Sequence, residues 1–160
     1  MTVMSTDPGR QRVIFVCTHN SARSQMAEGM LRAWGGDRFE ALSAGTEATR
    51  VRPEAIAVMR EIGIDIGGQV SKTLEPFLGE SFAWLITVCD QAKEACPTIP
   101  GVRQQAHWSI DDPSVVEGDE PARLAAFRAA RDRLRDRLHM FMLAAGRDDL
   151  PSPRPTRIGS

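Results

Sequence analysis

The stretch Val13-Ile-Phe-Val-Cys-Thr-His-Asn-Ser-Ala-Arg-Ser-Gln-Met-Ala-Glu28 decides how the rest of this chain is read. Val13 to Val16 are β-branched or aromatic and read as a buried strand. Met26, Ala27, Met30 and Leu31 recur at helical spacing and read as an amphipathic helix. Between them lies a loop with the pattern Cys17-x5-Arg23-Ser24. A loop entering a helix N-terminus gathers unpaired N–H groups and the positive end of the helix dipole at one spot, which suits an oxyanion. The anion would rest against Thr18, His19, Asn20, Ser21 and Ala22, with Arg23 and Ser24 completing the cradle. Arg23 offers a planar fork of donors that holds two oxygens of a tetrahedral anion at once. A thiol in the same field, with the Ser24 hydroxyl as donor, is favoured as its thiolate. Cys17 is therefore the candidate nucleophile and Arg23 its anion clamp. Either residue alone would be ordinary, as a buried cysteine or half of a surface ion pair; the strand-loop-helix context and the Ser after Arg set the pair apart.

A chain of 160 residues with 42% apolar residues builds about one domain around a single core. Residues 1–11 read as a disordered lead, 12–146 as a single catalytic domain, and 147–160, with Pro151, Pro153 and Pro155, as a disordered tail. The net charge of −1 lacks the basic footprint of a nucleic-acid binder. The N-terminal residues hold no apolar signal region, and no apolar run approaches the roughly 20 residues of a membrane span. The expectation is a cytoplasmic monomer with no nucleic-acid or membrane partner. In a reducing compartment, three cysteines are more often catalytic, redox-active or metal-binding than structural.

Gly35-Gly36 should stop the first helix. Phe39 to Ala44 can form a second strand, and Ser43-Ala44-Gly45-Thr46 closes it with small residues where backbone could approach the first loop. Pro53 opens a helix that Gly63 stops. Leu74 to Leu78 suits a short helix. Phe82 to Val88 is a near-continuous apolar run, as in a parallel strand covered on both faces, and Cys89 follows it. Gln105 to Trp108 is the fourth strand, and Pro121 to Ala145 keeps helical spacing through Leu124, Phe127, Leu134, Leu138, Phe141 and Met142. This alternation predicts an α/β fold with a mostly parallel four-stranded sheet and helices on both faces. Two strands end in cysteines, and such sheets bind ligands beyond the carboxyl ends of their strands.

Asp111-Asp112-Pro113 lies in a turn after the fourth strand. Asp112, directly before the proline, could act as general acid for a leaving oxygen if nearby negative charge raises its pKa; the other reading is a helix-leading turn and nothing more. Cys89 and Cys96 flank the helix formers Asp90 to Ala95 and permit three readings. They could be a resolving pair that relieves an adduct on Cys17, part of a metal site with His107, or a buried and an incidental cysteine. The metal reading lacks close ligand spacing, so no metal and no cofactor is expected. His139 reads as structural.

These residues resemble a known family. Val16 through Gly29, Ser43-Ala-Gly45, Gly63-Ile-Asp-Ile66, Cys89 through Cys96-Pro97, and His107-Trp108 through Asp112-Pro113 are together similar to the thioredoxin-coupled arsenate reductases. Those enzymes share the low-molecular-weight protein tyrosine phosphatase fold. The resemblance covers roughly residues 12 to 143 and implies roles for individual side chains. Cys17 would attack arsenate, Arg23 clamp it, Ser24 donate to the thiolate, Asn20 shape the loop and Asp112 serve as general acid. Cys89 and Cys96 would be the resolving cysteines and thioredoxin the reductant. In an intact helix their α-carbons, seven residues apart, would be separated by about 10.5 Å of rise. A disulfide spans only about 4.4 to 6.8 Å, so this pairing requires Asp90 to Ala95 to unwind. Ala22 stands where many relatives carry a second, non-catalytic cysteine. Some relatives bind potassium through four side chains, of which Asn20, Glu28 and Ser43 match three; the fourth position is Lys72, whose ammonium could stand in for the cation.

The resemblance thus implies an arsenate reductase that converts arsenate to arsenite in arsenic detoxification. A tyrosine phosphatase would need Cys17, Arg23 and Asp112 but no resolving pair. It would usually follow Asp-Pro with aromatics, whereas here Ser114-Val115-Val116 follow and the chain contains no Tyr. A non-enzymatic redox-sensing or anion-binding module would need only the cysteines.

Overall fold

In the computed structural model, residues 9–89 and 99–145 are described. Strand β1 (Gln11–Cys17) leads through a loop into α1 (Arg23–Gly35), then β2 (Phe39–Gly45), α2 (Pro53–Arg60), β3 (Phe82–Thr87), β4 (Val102–His107) and the long α3 (Glu120–Ala145). The four strands are all parallel, in the order β2-β1-β3-β4. The chain after β1 goes to one side and later to the other, so the order reverses at β1. Cys17 is its last residue and sits at this switch point.

Local chemistry explains the elements. Val13, Ile14, Phe15 and Val16 are fully buried, as a central strand covered on both faces requires. Met26, Ala27, Met30 and Leu31 are the fully buried stripe of α1. Pro53 occupies the first turn of α2, where its missing N–H costs nothing. Gly63, at φ 82°, takes the left-handed conformation that turns the chain away from that helix. The segment expected as a short helix forms a 3-10 turn over Glu75–Phe77.

Two readings need correction. The first helix starts at Arg23, so Arg23 and Ser24 belong to its first turn and not to the loop before it. The fourth strand begins at Val102, before the expected Gln105. It is an edge strand whose Arg103, Gln104 and Gln105 are exposed, so it carries little apolar signal. Of the expected lead, residues 1–11, the first eight lie outside the described residues, whereas Gln11 already belongs to β1; the expected tail, 147–160, lies outside them too, as do Asp90 to Ala95 and Cys96.

Register partners share a face. Phe15, Ser43 and Ile86 are partners across three strands, as are Val13, Ala41 and Trp84. Ser43 Oγ donates to Glu28 of α1, and the Phe141 ring of α3 lies 5.5 Å from Phe39 and 5.3 Å from Trp84, so both helices cover this face. Ile14, Val16, Ala44 and Leu85 on the other face are equally buried. Helix α2 is tied to α3 by ions: Arg131 donates to the Val58 carbonyl and to Glu61 at 2.8 Å, and Arg128 forms a two-oxygen pair with the same carboxylate. Hydrogen bonds from Arg128 and then Arg131 pull the Glu61 pKa down to about 2.

Phe141 also meets Trp108 at 6.0 Å, so one side chain joins α3 to both edges of the sheet. Phe141→Ala is expected to destabilise the protein by about 3–5 kcal/mol, read from urea unfolding. A loss below about 1 kcal/mol would mean that the ring cluster contributes little to stability.

Candidate active site

The loop Thr18–Ala22 is held from outside by its carbonyls. The Thr46 hydroxyl and the Glu47 N–H donate to the Thr18 carbonyl at 3.2 and 2.9 Å, and the Arg52 N–H donates to Ser21 at 2.9 Å. The hydroxyls of Thr49 and Ser71 donate to the His19 carbonyl at 3.3 and 3.0 Å. With carbonyls tied outward, peptide N–H groups are left for an oxyanion. No side chain caps the N-terminus of α1 at Ala22, so its first N–H groups also remain available.

Close approach of backbone makes this possible, as the small residues at the end of β2 suggested. A Cβ on Gly45 would stand 2.8 Å from the Asn20 nitrogen and the Thr18 oxygen, and 2.6 Å from the Glu47 oxygen. Gly45 also pairs with Thr73 in a parallel bridge, which brings Lys72 beside the loop.

Inside the cradle, Cys17 Sγ lies 2.8 Å from Ser24 Oγ, and both side chains are buried. Asn20, fully buried at φ 50°, donates through Nδ2 to Ser24 Oγ at 2.8 Å and to Ser43 Oγ at 3.0 Å. Arg23 is 8% exposed; it donates to the Ile110 carbonyl at 2.9 Å and reaches Asp112 Oδ2 at 3.5 Å. The loop after β4 thus closes over the clamp. His19 is exposed, its Nε2 3.7 Å from Glu47.

Asp112 forms the turn that the sequence allowed and also faces the Arg23 guanidinium. Its Oδ1 accepts from the Ser114 N–H at 2.9 Å and hydroxyl at 2.7 Å, opening the 3-10 turn Pro113–Val115. Its Oδ2 faces Arg23. The expected rise in its pKa is not found. Partial burial, the largest single influence, pushes it up, but the two Ser114 hydrogen bonds, Arg23 and His19 together hold the carboxyl below its ordinary value. The charges that face the carboxyl are positive, from Arg23 and His19, where the sequence reading expects negative ones.

Cys89 is buried, with Sγ 3.3 Å from the hydroxyl of Thr18, the residue that follows Cys17. Cys96 cannot be placed beside it, since it lies outside the described residues. His107 meets the Thr87 hydroxyl through Nδ1 at 2.7 Å. Among the described residues, no three His, Cys, Asp or Glu side chains gather to hold a metal. Lys72 Nζ lies 3.6 Å from Glu28, 3.5 Å from Ser43 Oγ and 3.0 Å from the Val70 carbonyl. The backbone N–H of Lys72 donates to Asn20 Oδ1 at 2.8 Å. Sequence reasoning missed Gln25, Thr49, Gln69 and Ser71, whose polar side chains carry no distinguishing pattern.

The family model of the low molecular weight phosphotyrosine protein phosphatases matches residues 12–150. The chain belongs to this family. Within it, the chain is 41% identical over 129 residues to an arsenate reductase of Halalkalibacterium halodurans, covering 81% of this chain and 93% of that one. It is 38% identical over 129 residues to an arsenate reductase of Bacillus subtilis (strain 168), covering 81% and 93%. A solved arsenate reductase in its phosphate-binding state superposes with a TM-score of 0.73 at 34% identity, covering 84% of this chain and 98% of that chain. A thioredoxin-dependent arsenate reductase of Corynebacterium glutamicum, 24% identical with a TM-score of 0.63, shares the fold; the alignment covers 87% of this chain and 65% of that one. No helix among the described residues is long and apolar enough to cross a membrane.

Gly45→Ala, at the end of β2, forces a methyl group against the backbone of the loop at Thr18 and Asn20, which must shift. Inorganic phosphate affinity, read by titration calorimetry, should fall about a hundredfold, as a misplacement near 1 Å produces. Undiminished affinity would show that the loop does not need this approach.

Proposed function

We propose that this chain is an arsenate reductase working by a thiol cascade. The observation that carries the reading is the second sulfur, Cys89, held at the rim of a phosphatase-type cradle that already contains Cys17 and Arg23. A phosphate monoesterase has no use for it. Relatives of like length, named as arsenate reductases, support the same reading.

Arsenate has the tetrahedral shape and charge of phosphate, so Arg23 and the loop N–H groups hold it. The Cys17 thiolate attacks arsenic and displaces one oxygen, which leaves as water. Asp112 supplies a proton to that oxygen: bound arsenate replaces its favourable partner Arg23 with negative charge and raises its proton affinity. The Cys89 thiolate then attacks the Cys17 sulfur. The S–As bond breaks with its electron pair on arsenic, which leaves as arsenite, and a Cys17–Cys89 disulfide forms. Cys96 attacks Cys89, freeing Cys17, and a dithiol of the thioredoxin type reduces the Cys89–Cys96 disulfide. The name of the Corynebacterium relative supports that reductant, and a cytoplasmic setting suits it. The ammonium of Lys72 neutralises Glu28 beneath the loop.

The rival reading, a phosphatase, rests on the family name; the exposed Val115 and Val116 after Asp112-Pro113 offer no aromatic wall for a phenyl ring.

Arsenite release with thioredoxin, glutaredoxin or a small thiol supplied separately, against phosphate release from an aryl phosphate, decides between the two. Cys17→Ser is expected to lower both activities by about a thousandfold or more, because a neutral hydroxyl without a general base is a poor nucleophile. Cys89→Ser and Cys96→Ser should abolish arsenite release and spare aryl phosphate hydrolysis. Parallel loss of both activities would make these cysteines structural. Lys72→Ala should weaken both activities and lower the melting temperature, with added potassium restoring part of each. No response to potassium would remove the stand-in role.

A further inference from the structure

The hydrogen-bond chain beneath Cys17 does not stop at Asn20. Gln25, fully buried one position past Ser24, donates through Nε2 to Asn20 Oδ1 at 2.8 Å and to the Asn20 and Val70 carbonyls at 3.1 Å. Gln69 donates through Nε2 to Gln25 Oε1 at 2.7 Å and to the Gln25 carbonyl at 3.1 Å. Arg32, two turns further along α1 on the same face, donates to Gln69 Oε1 at 2.9 Å and ion-pairs with Glu28.

Direction follows from chemistry. A guanidinium has donors only, so Gln69 must turn its oxygen to Arg32 and its NH2 to Gln25. Gln25 must then turn its oxygen to Gln69 and its NH2 to Asn20. The N–H of Lys72 reaches the same Asn20 oxygen and enforces the same sense. Asn20 is left with its NH2 toward Ser24 and Ser43. Ser24 Oγ accepts that hydrogen, and toward a Cys17 thiolate, which can only accept, it turns its own proton.

We infer that Gln25, Gln69 and Arg32 form an orienting relay, a set of positioning residues that act through Asn20 and Ser24 to hold Cys17 as a thiolate. This deepens the proposed function and rests on Cys17 as nucleophile. The relay begins at a fixed cation on the surface of α1 and ends at the anion in the cradle, so each dipole along it is aligned with both charges.

Gln69→Glu is the diagnostic substitution. A carboxylate still accepts from Arg32 but cannot donate to Gln25, so the sense of the relay is lost while bulk and the contact with Arg32 remain. The measurement is the rate of Cys17 alkylation by iodoacetamide against pH, followed on the Cys17 peptide by mass spectrometry. We expect the midpoint to move up by about one pH unit in Gln69→Glu, with kcat for an aryl phosphate down about tenfold and KM nearly constant, the worth of one hydrogen bond. Arg32→Gln, at a half-exposed position, should move it the same way by less. A merely structural role would lower the melting temperature and leave the midpoint in place. Coincident profiles for wild type and both variants would overturn the relay. Failure of the wild type to release arsenite would instead overturn the function, and the alkylation profiles would still decide the relay.

Discussion

A single residue in an unfavourable backbone conformation holds this site together. Asn20 sits at φ 50°, a region that costs a non-glycine residue about a kilocalorie per mole or more. The fold offsets that cost with a full set of bonds to its amide: Nδ2 donates to Ser24 and Ser43, and Oδ1 accepts from Gln25 and from the Lys72 N–H. Asparagine suits the position because its short amide has donors and an acceptor at one tip. The reversal of the loop, the close approach of Gly45 and the placement of Ser24 against Cys17 all depend on it.

Electrostatic complementarity is divided between two walls of the cradle. One wall is the loop and the first turn of α1, with dipoles aimed at the ligand. The other is the turn after β4, which brings the Ile110 carbonyl and Asp112 to Arg23. Arg23 is buried and must have acceptors when no oxyanion is present, and these two groups supply them. The same contacts set the charge that Asp112 meets, which is one reason its carboxyl lies below the ordinary value.

The ion clamp between α2 and α3 serves the same end at a distance. Glu61 with Arg128 and Arg131 fixes the far end of α2, and Glu54 with Arg52 and Arg123 fixes the near end. Arg52 also donates its N–H to Ser21 of the loop. A helix anchored at both ends thus carries a residue that shapes the cradle.

What the sequence by itself determined is local. The strand before Cys17, the helix after it, the spacing to Arg23, and the small residues ending at Gly45 are all set by side-chain periodicity and by groups a few positions apart. The Cys17–Ser24 pair follows from the same short range, and the ammonium at Lys72 was legible through resemblance. Tertiary structure alone decided the rest. Gln69 meets Gln25 from 44 positions away, and Ser71 meets His19 from 52, because the chain returns alongside β2 at Thr73. Nothing in a polar, half-exposed run announces such a meeting. The sign of the Asp112 shift was equally hidden, since it depends on which charges face the carboxyl, and the turn after β4 brings it to Arg23 from across the sheet. Hydrogen bonds and charges act over a few ångströms, and distance in space between remote segments is what a sequence does not carry.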